Sequence, residues 1–208
     1  PIAARNLAND LPDKVVRLLL SVCQSNTAVF QRFFALKART LGLPRLRRYD
    51  IYAPVAASEK KYEFNEAWSL VRESLARFDP SFADLAGKVL RENHLDAGVR
   101  PGKRDGAFCL SPLPSLTPWV LTNYQSRVYD LATLAHELGH AVHSLLASGN
   151  PLLAYEPSLP LAETASTFSE MLLLDSLLKE ESDGAVRRDL LFRQMDDAYA
   201  TIIRQAFF

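Results

Sequence analysis

Cysteine is almost absent from this sequence of 208 residues, which has only Cys23 and Cys109. The two stand far apart and neither belongs to a C-x-x-C arrangement. A disulfide framework and a cysteine-based metal site are therefore excluded, and both thiols read as reduced and buried. An excess of either charge is also missing. Lys plus Arg and Asp plus Glu number 24 each, which argues against nucleic acid or a membrane surface as a partner. The local cluster Arg45, Arg47, Arg48 reads as a solvated turn. No apolar run is long enough to span a bilayer, and the N-terminus lacks the basic-then-apolar pattern of a secretion signal, so a cytoplasmic location is expected. Pro1 at the start and Ala206-Phe207-Phe208 at the end suggest a segment of something longer.

What is present is 48% apolar and 10% aromatic, enough for one globular domain with a sizeable core, and two domains would be a squeeze. Most of the apolar spacing is helical. Val15, Leu18, Leu19 and Val22 mark a helix within 11–24, and another runs from about Thr27 to Leu41. Gly42 and Pro44 end it, because glycine accepts a left-handed cap and proline cannot continue the ladder. Tyr49-Asp50-Ile51-Tyr52-Ala53-Pro54 is expected as a strand or loop packed on the helices. Phe64 to Phe78 is amphipathic, and Asp79-Pro80-Ser81 separates it from a helix ending near Arg91. His94, alone in a loop, reads as a hydrogen-bonded structural histidine.

Between Gly98 and Tyr124 two short β-prone runs predict a small antiparallel pair. Its edge could receive an extended peptide by main-chain hydrogen bonding, with Gly106 and Ala107 leaving room for close approach. A plain structural hairpin is an equal alternative. The expected fold class is mainly α, a multi-helix catalytic domain with a small antiparallel β element at about 98–124.

The chemistry concentrates in His136-Glu137-Leu138-Gly139-His140. Two imidazoles at i and i+4 share one helix face with Cβ atoms about 5–6 Å apart, so both can reach one tetrahedral Zn²⁺. Glu137, about 100° around the helix, points beside the ion as a proton acceptor rather than a ligand. Chance yields this pattern on the order of 0.004 times in a chain of this composition. Leu131, Leu134, Leu138, Ala141, Val142 and Leu145 fall on the opposite side, giving a core face and a cleft face. Asp130 is expected to cap this helix, at about 130–148.

Zinc needs at least one more protein ligand, and Glu156, Glu163 and Glu170 are the downstream candidates. Glu156 sits in a loop beside Pro157. Glu163 and Glu170 lie about 20° apart on a helix expected at about 161–180, with Leu161, Ala165, Phe168 and Leu172 on the side assigned to the core.

The order His136-Glu137-Leu138-Gly139-His140-Ala141-Val142-His143-Ser144, then Ala162-Glu163-Thr164-Ala165-Ser166 and Glu170, resembles the zinc site of the oligoendopeptidase F family, relatives of thimet oligopeptidase. Tyr49-Asp50-Ile51-Tyr52-Ala53-Pro54, Gly102-Lys103-Arg104-Asp105-Gly106-Ala107-Phe108 and Asp196-Asp197-Ala198-Tyr199 fit the same family. The resemblance implies a zincin-like catalytic domain, here in part, that hydrolyses internal bonds of short oligopeptides. It implies His136, His140 and Glu163 as zinc ligands, Glu137 as general base and Glu170 as the carboxylate that orients a ligand histidine. His143 is expected to line the cleft, and Gly106, Ala107 and Phe108 to meet substrate.

Family members are longer and carry, after the zinc site, His and Tyr residues that contact the scissile carbonyl, whereas the last histidine here is His143. The expectation is zinc binding with weak or no hydrolysis by this chain alone, and self-association through Ile202, Ile203, Phe207 and Phe208. A zinc aminopeptidase and a non-catalytic helical domain are the alternatives.

Overall fold

Residues 3–55 and 60–207 are described by a computed structural model. Pro1 and Phe208, named above for their terminal positions, lie outside the described residues. Contacts divide the chain into two compact units, Lys60–Glu180, and Pro1–Glu59 with Glu181–Phe208.

In the unit Lys60–Glu180, helices α4 (Phe64–Phe78) and α5 (Pro80–Arg91) form an antiparallel pair. Asp79 ends one and begins the other. Its carboxylate accepts from the Ser81 amide at 2.8 Å, and Pro80 fills the first position, where no N–H is needed. Ala67, Val71, Leu75, Ala86 and Val89 are buried against Leu131, Leu134, Ala135, Leu138 and Ala141 of α6 (Val128–Leu146). Helix α7 (Leu159–Glu180) packs along α6, and its C-terminal Glu180 pairs with Arg77 of α4.

The β element is larger than the antiparallel pair expected. Strands β2 (Phe108–Leu110) and β3 (Trp119–Leu121) are antiparallel with Cys109 opposite Val120, and β1 (Leu95–Asp96) adds in parallel to β3, giving the order β1-β3-β2. Two residues carry no periodicity, so β1 is visible only through its partner: the carbonyls of His94 and Asp96 accept from Val120 and Thr122 at 2.8 and 2.9 Å. His94 is structural, as expected. Its ring stacks on Trp119 at 4.3 Å and its Nδ1 meets the Thr117 carbonyl at 2.9 Å. Lys103 closes the far end of the sheet, its buried ammonium donating to the carbonyls of Asp96, Gly98 and Thr122 at 2.9, 2.9 and 2.6 Å.

Two expectations about the helices need correction. Helix α6 begins at Val128, so Asp130 is in its first turn rather than at its cap, and its carboxylate reaches back to the amides of Arg127 and Gln125 at 3.0 and 2.8 Å. In α7 the buried residues are Ser166, Ser169, Leu173, Ser176 and Leu177, while Leu161 and Phe168 are exposed. The face turned to α6 is thus chosen by small size more than by hydrophobicity.

In the other unit, α1 (Ala4–Ala8), α2 (Asp13–Ser25), α3 (Thr27–Thr40) and α8 (Gly184–Ala198), which continues into a wider π-type turn Tyr199–Arg204, contribute the helices. Phe33 meets Phe192 at 5.7 Å and Phe34 meets Tyr199 edge-on at 4.8 Å. Lys37 is fully buried, donating to Asp196 at 2.5 Å and to the Ile51 carbonyl at 2.6 Å. Gly42 takes φ +68° after α3, as its position predicts. The segment Tyr49–Pro54 is a loop entered by a 3₁₀ turn, Arg48–Asp50, with Tyr49 and Tyr52 exposed. Cys23 is the one buried residue of α2, whose Val15, Leu18, Leu19 and Val22 remain exposed, as do Ile202 and Phe207. Ile203 is half-buried. Both cysteines are free, and Cys109 is only half-buried. No helix among the described residues is long and apolar enough to cross a membrane.

Candidate metal centre

Helices α6 and α7 pack in close contact at Gly139. A Cβ there would stand 2.6 Å from Ser169 Oγ and 2.9 Å from Ser166 Cα, so only glycine lets the axes approach this far. That approach carries the two acids of α7 onto the histidine face of α6. Nε2 of His136 and Nε2 of His140 are 3.2 Å apart, and Oε2 of Glu163 lies 3.3 Å from the first and 3.7 Å from the second. Donors bonded at 2.0–2.1 Å to one tetrahedral ion stand about 3.3 Å apart, so the three atoms are spaced closely enough to share one ion. Two imidazole nitrogens and one carboxylate oxygen, with the fourth direction left to the cleft, is a donor set that fits zinc.

The remaining ring atoms are also engaged. Nδ1 of His136 donates to Oε1 of Glu170 at 2.5 Å, which leaves the Nε2 lone pair directed at the centre. His140 is hydrogen-bonded to the backbone of Ala162, the residue before Glu163. Burial alone would lower the basicity of His136, but the hydrogen bond and charge of Glu170 raise it overall, with Glu137 and Glu163 adding to the effect. His140 is lowered, first by burial and then by the nearby His136. Glu137 is buried, and its carboxyl is pushed up to about 7, first by burial, against the opposing charge of His136 and together with the repulsion of Glu163 and Glu170. A carboxyl of that basicity exchanges protons near neutral pH.

The centre opens into a cleft of about 690 Å³. Residues 107–112, including β2, form one wall, and Leu152, Tyr155, Pro157 and Leu159 form another. His143, Ala107 and Phe108 line it. Gly106 does not. It makes the turn into β2 with φ +82°, and its carbonyl accepts from Asn123 at 2.9 Å. Glu156 lines the cleft but is outside the group of converging donors.

Sequence reasoning missed Cys109, Ser111 and Ser144. Ser111 Oγ donates to Ser144 Oγ at 2.8 Å, tying the end of β2 to α6, and Cys109 Sγ is 3.8 Å from Ser111 Oγ. Burial pushes the Cys109 thiol up to about 12, with Ser111 opposing and the charge of Glu137 adding. Strand parity, continued one residue past β2, was the available signal for Cys109 and Ser111, and the four-residue spacing from His140 on α6 was the signal for Ser144.

The chain is 32% identical over 202 residues to the Group B oligopeptidase PepB of Streptococcus agalactiae, covering 97% of this chain and 33% of that protein. It is 31% identical over 204 residues to an oligoendopeptidase F homolog of Lactococcus lactis, covering 97% and 34%. It therefore spans about a third of the length of the curated relatives it matches. A crystal structure from Chlamydophila abortus, 34% identical, superposes with a TM-score of 0.86 over 98% of this chain and 35% of its own. The family model for peptidase family M3 matches residues 2–208, across both helices that supply the converging donors, and the chain belongs to that family.

Proposed function

We propose that this chain carries the zinc centre of an endopeptidase that cuts internal bonds of short oligopeptides, as part of the catalytic domain of a longer protein. The observation that carries the reading is the triangle of donor atoms from His136, His140 and Glu163, with a buried Glu137 beside it.

His136 and His140 through Nε2, and Glu163 through its carboxylate, would hold the ion. Bound there, zinc supplies Lewis-acid polarisation of a water molecule and of a peptide carbonyl. Glu137, buried beside the ligand histidines, would accept the proton of the attacking water and return it to the leaving amine. Glu170 keeps His136 in the tautomer whose Nε2 is free. Among the described residues strand β2 is paired only to β3, so its other edge offers main-chain groups to an extended peptide laid along the cleft. Ala107 and Phe108 would meet that peptide, and His143 would line its path.

Metal analysis of chelator-free protein tests the ligand set. The parent and Glu156→Ala chains are expected to hold about one equivalent of zinc, and Glu163→Ala to lose it. Zinc retained in Glu163→Ala and lost in Glu156→Ala would reverse the assignment. Glu137→Gln is expected to keep the metal and to lose about 10²-fold or more of any turnover of a quenched oligopeptide. Equal cleavage of N-blocked and free peptides separates an endopeptidase from an aminopeptidase.

A further inference from the structure

We propose that residues 32–51 form a binding site for an acidic peptide segment. Between Thr27 and Tyr49 the chain carries Arg32, Lys37, Arg39, Arg45, Arg47 and Arg48 and not one carboxylate, although the protein as a whole is neutral. Lys37 is accounted for by Asp196. The other five do not scatter over the surface. They line one cleft of about 720 Å³ between α3 and the turn that follows it. Arg47 donates to the Tyr49 hydroxyl, and Asp50, the nearest acid in sequence, is occupied by the Arg47 amide at 2.8 Å. None of the five guanidinium groups has an ion-pair partner among the described residues.

Five exposed arginines lining one cleft give it a positive field that attracts an anionic ligand. The floor between them decides which anion. Phe34, Ala38, Leu43, Leu46 and Ile51 give the cleft an apolar base, and its volume far exceeds a phosphate ion. An extended chain that alternates carboxylates with apolar side chains matches both, its acids meeting guanidinium forks and its apolar residues covering the floor. The proposal uses no residue of the metal centre and does not rest on the proposed reaction.

Fluorescence anisotropy with a labelled, end-blocked Glu-Leu repeat peptide, in the Glu137→Gln background so that the probe is not consumed, tests it. Binding is expected to weaken by about tenfold or more in Arg32→Gln/Arg39→Gln on the helix and, independently, in Arg45→Gln/Arg48→Gln on the turn, and to be unchanged in Lys179→Gln, an exposed cation of the other unit. Circular dichroism checks that each variant remains folded. Equal binding of the matched Gln-Leu peptide, retention of affinity in both double variants, or more effective displacement by inorganic phosphate or an oligonucleotide than by unlabelled acidic peptide would each overturn the proposal.

Discussion

Glu170 shows how one carboxylate decides what an imidazole can do. By accepting from Nδ1 of His136 it leaves Nε2 as the only basic nitrogen of the ring. Glu170→Gln is expected to weaken zinc binding by about 10–100-fold, measured by competition with a calibrated chelator, while the ligand set stays intact. Unchanged affinity would mean that something else orients the ring. Asp96 is a second case. Hydrogen bonds from Arg100 at 2.8 and 2.7 Å and from Lys103 at 3.0 Å hold its carboxyl well below the usual carboxylate range. Its folded pKa lies below the unfolded value of about 3.9, so it contributes stability above that pH and loses it as the pH falls toward the folded value. Parent and Asp96→Asn chains should therefore differ most in urea midpoint at neutral pH and converge below about pH 4. A constant gap would exclude the linkage. His136, Glu137 and His140 were legible in the sequence because their spacing is a property of one helix. Glu163 was not separable from Glu156 by spacing, since that choice depends on where a second helix lies.

That second helix is positioned by an element-scale feature, the close crossing of α6 and α7 at Gly139. Gly139→Ala places a methyl group 2.9 Å from backbone Ser166 Cα, so the helices must separate. Overpacking of this kind costs about 1–3 kcal/mol, and zinc affinity should fall with it because Glu163 and Glu170 ride on α7. Wild-type zinc affinity in Gly139→Ala would break the link between crossing distance and site. Helix α4 was legible to the residue, Phe64–Phe78, because its stripe packs on a large apolar surface and Asp79-Pro80 punctuates it. The orientation of α7 was misjudged, since Leu161 and Phe168 carry more hydrophobicity than Ser166 and Ser169 but cannot fit beside Gly139. Strand β1 was missed for a different reason: it forms only because the amides of Val120 and Thr122 donate to the carbonyls of His94 and Asp96.

The division into two units has a consequence for the whole molecule. Lys37 and Asp196 are 159 positions apart and join α3 to α8 inside one unit, and the metal centre lies inside the other. Lys37→Met leaves Asp196, whose Oδ1 already has no partner, as an uncompensated buried acid. Removing one member of such a pair costs about 3–5 kcal/mol. Thermal unfolding should report that loss while zinc stoichiometry in the folded protein is unchanged; loss of zinc would show that the units are coupled. The sequence by itself determined the helices with strong apolar stripes and the His-Glu-x-x-His spacing, because each depends on neighbours within about four residues along the chain. Only the tertiary structure decided which carboxylate completes the donor set, which face of α7 is inward and that five arginines share one cleft. Those outcomes depend on distances between elements far apart in sequence, set by side-chain volume at the points of contact.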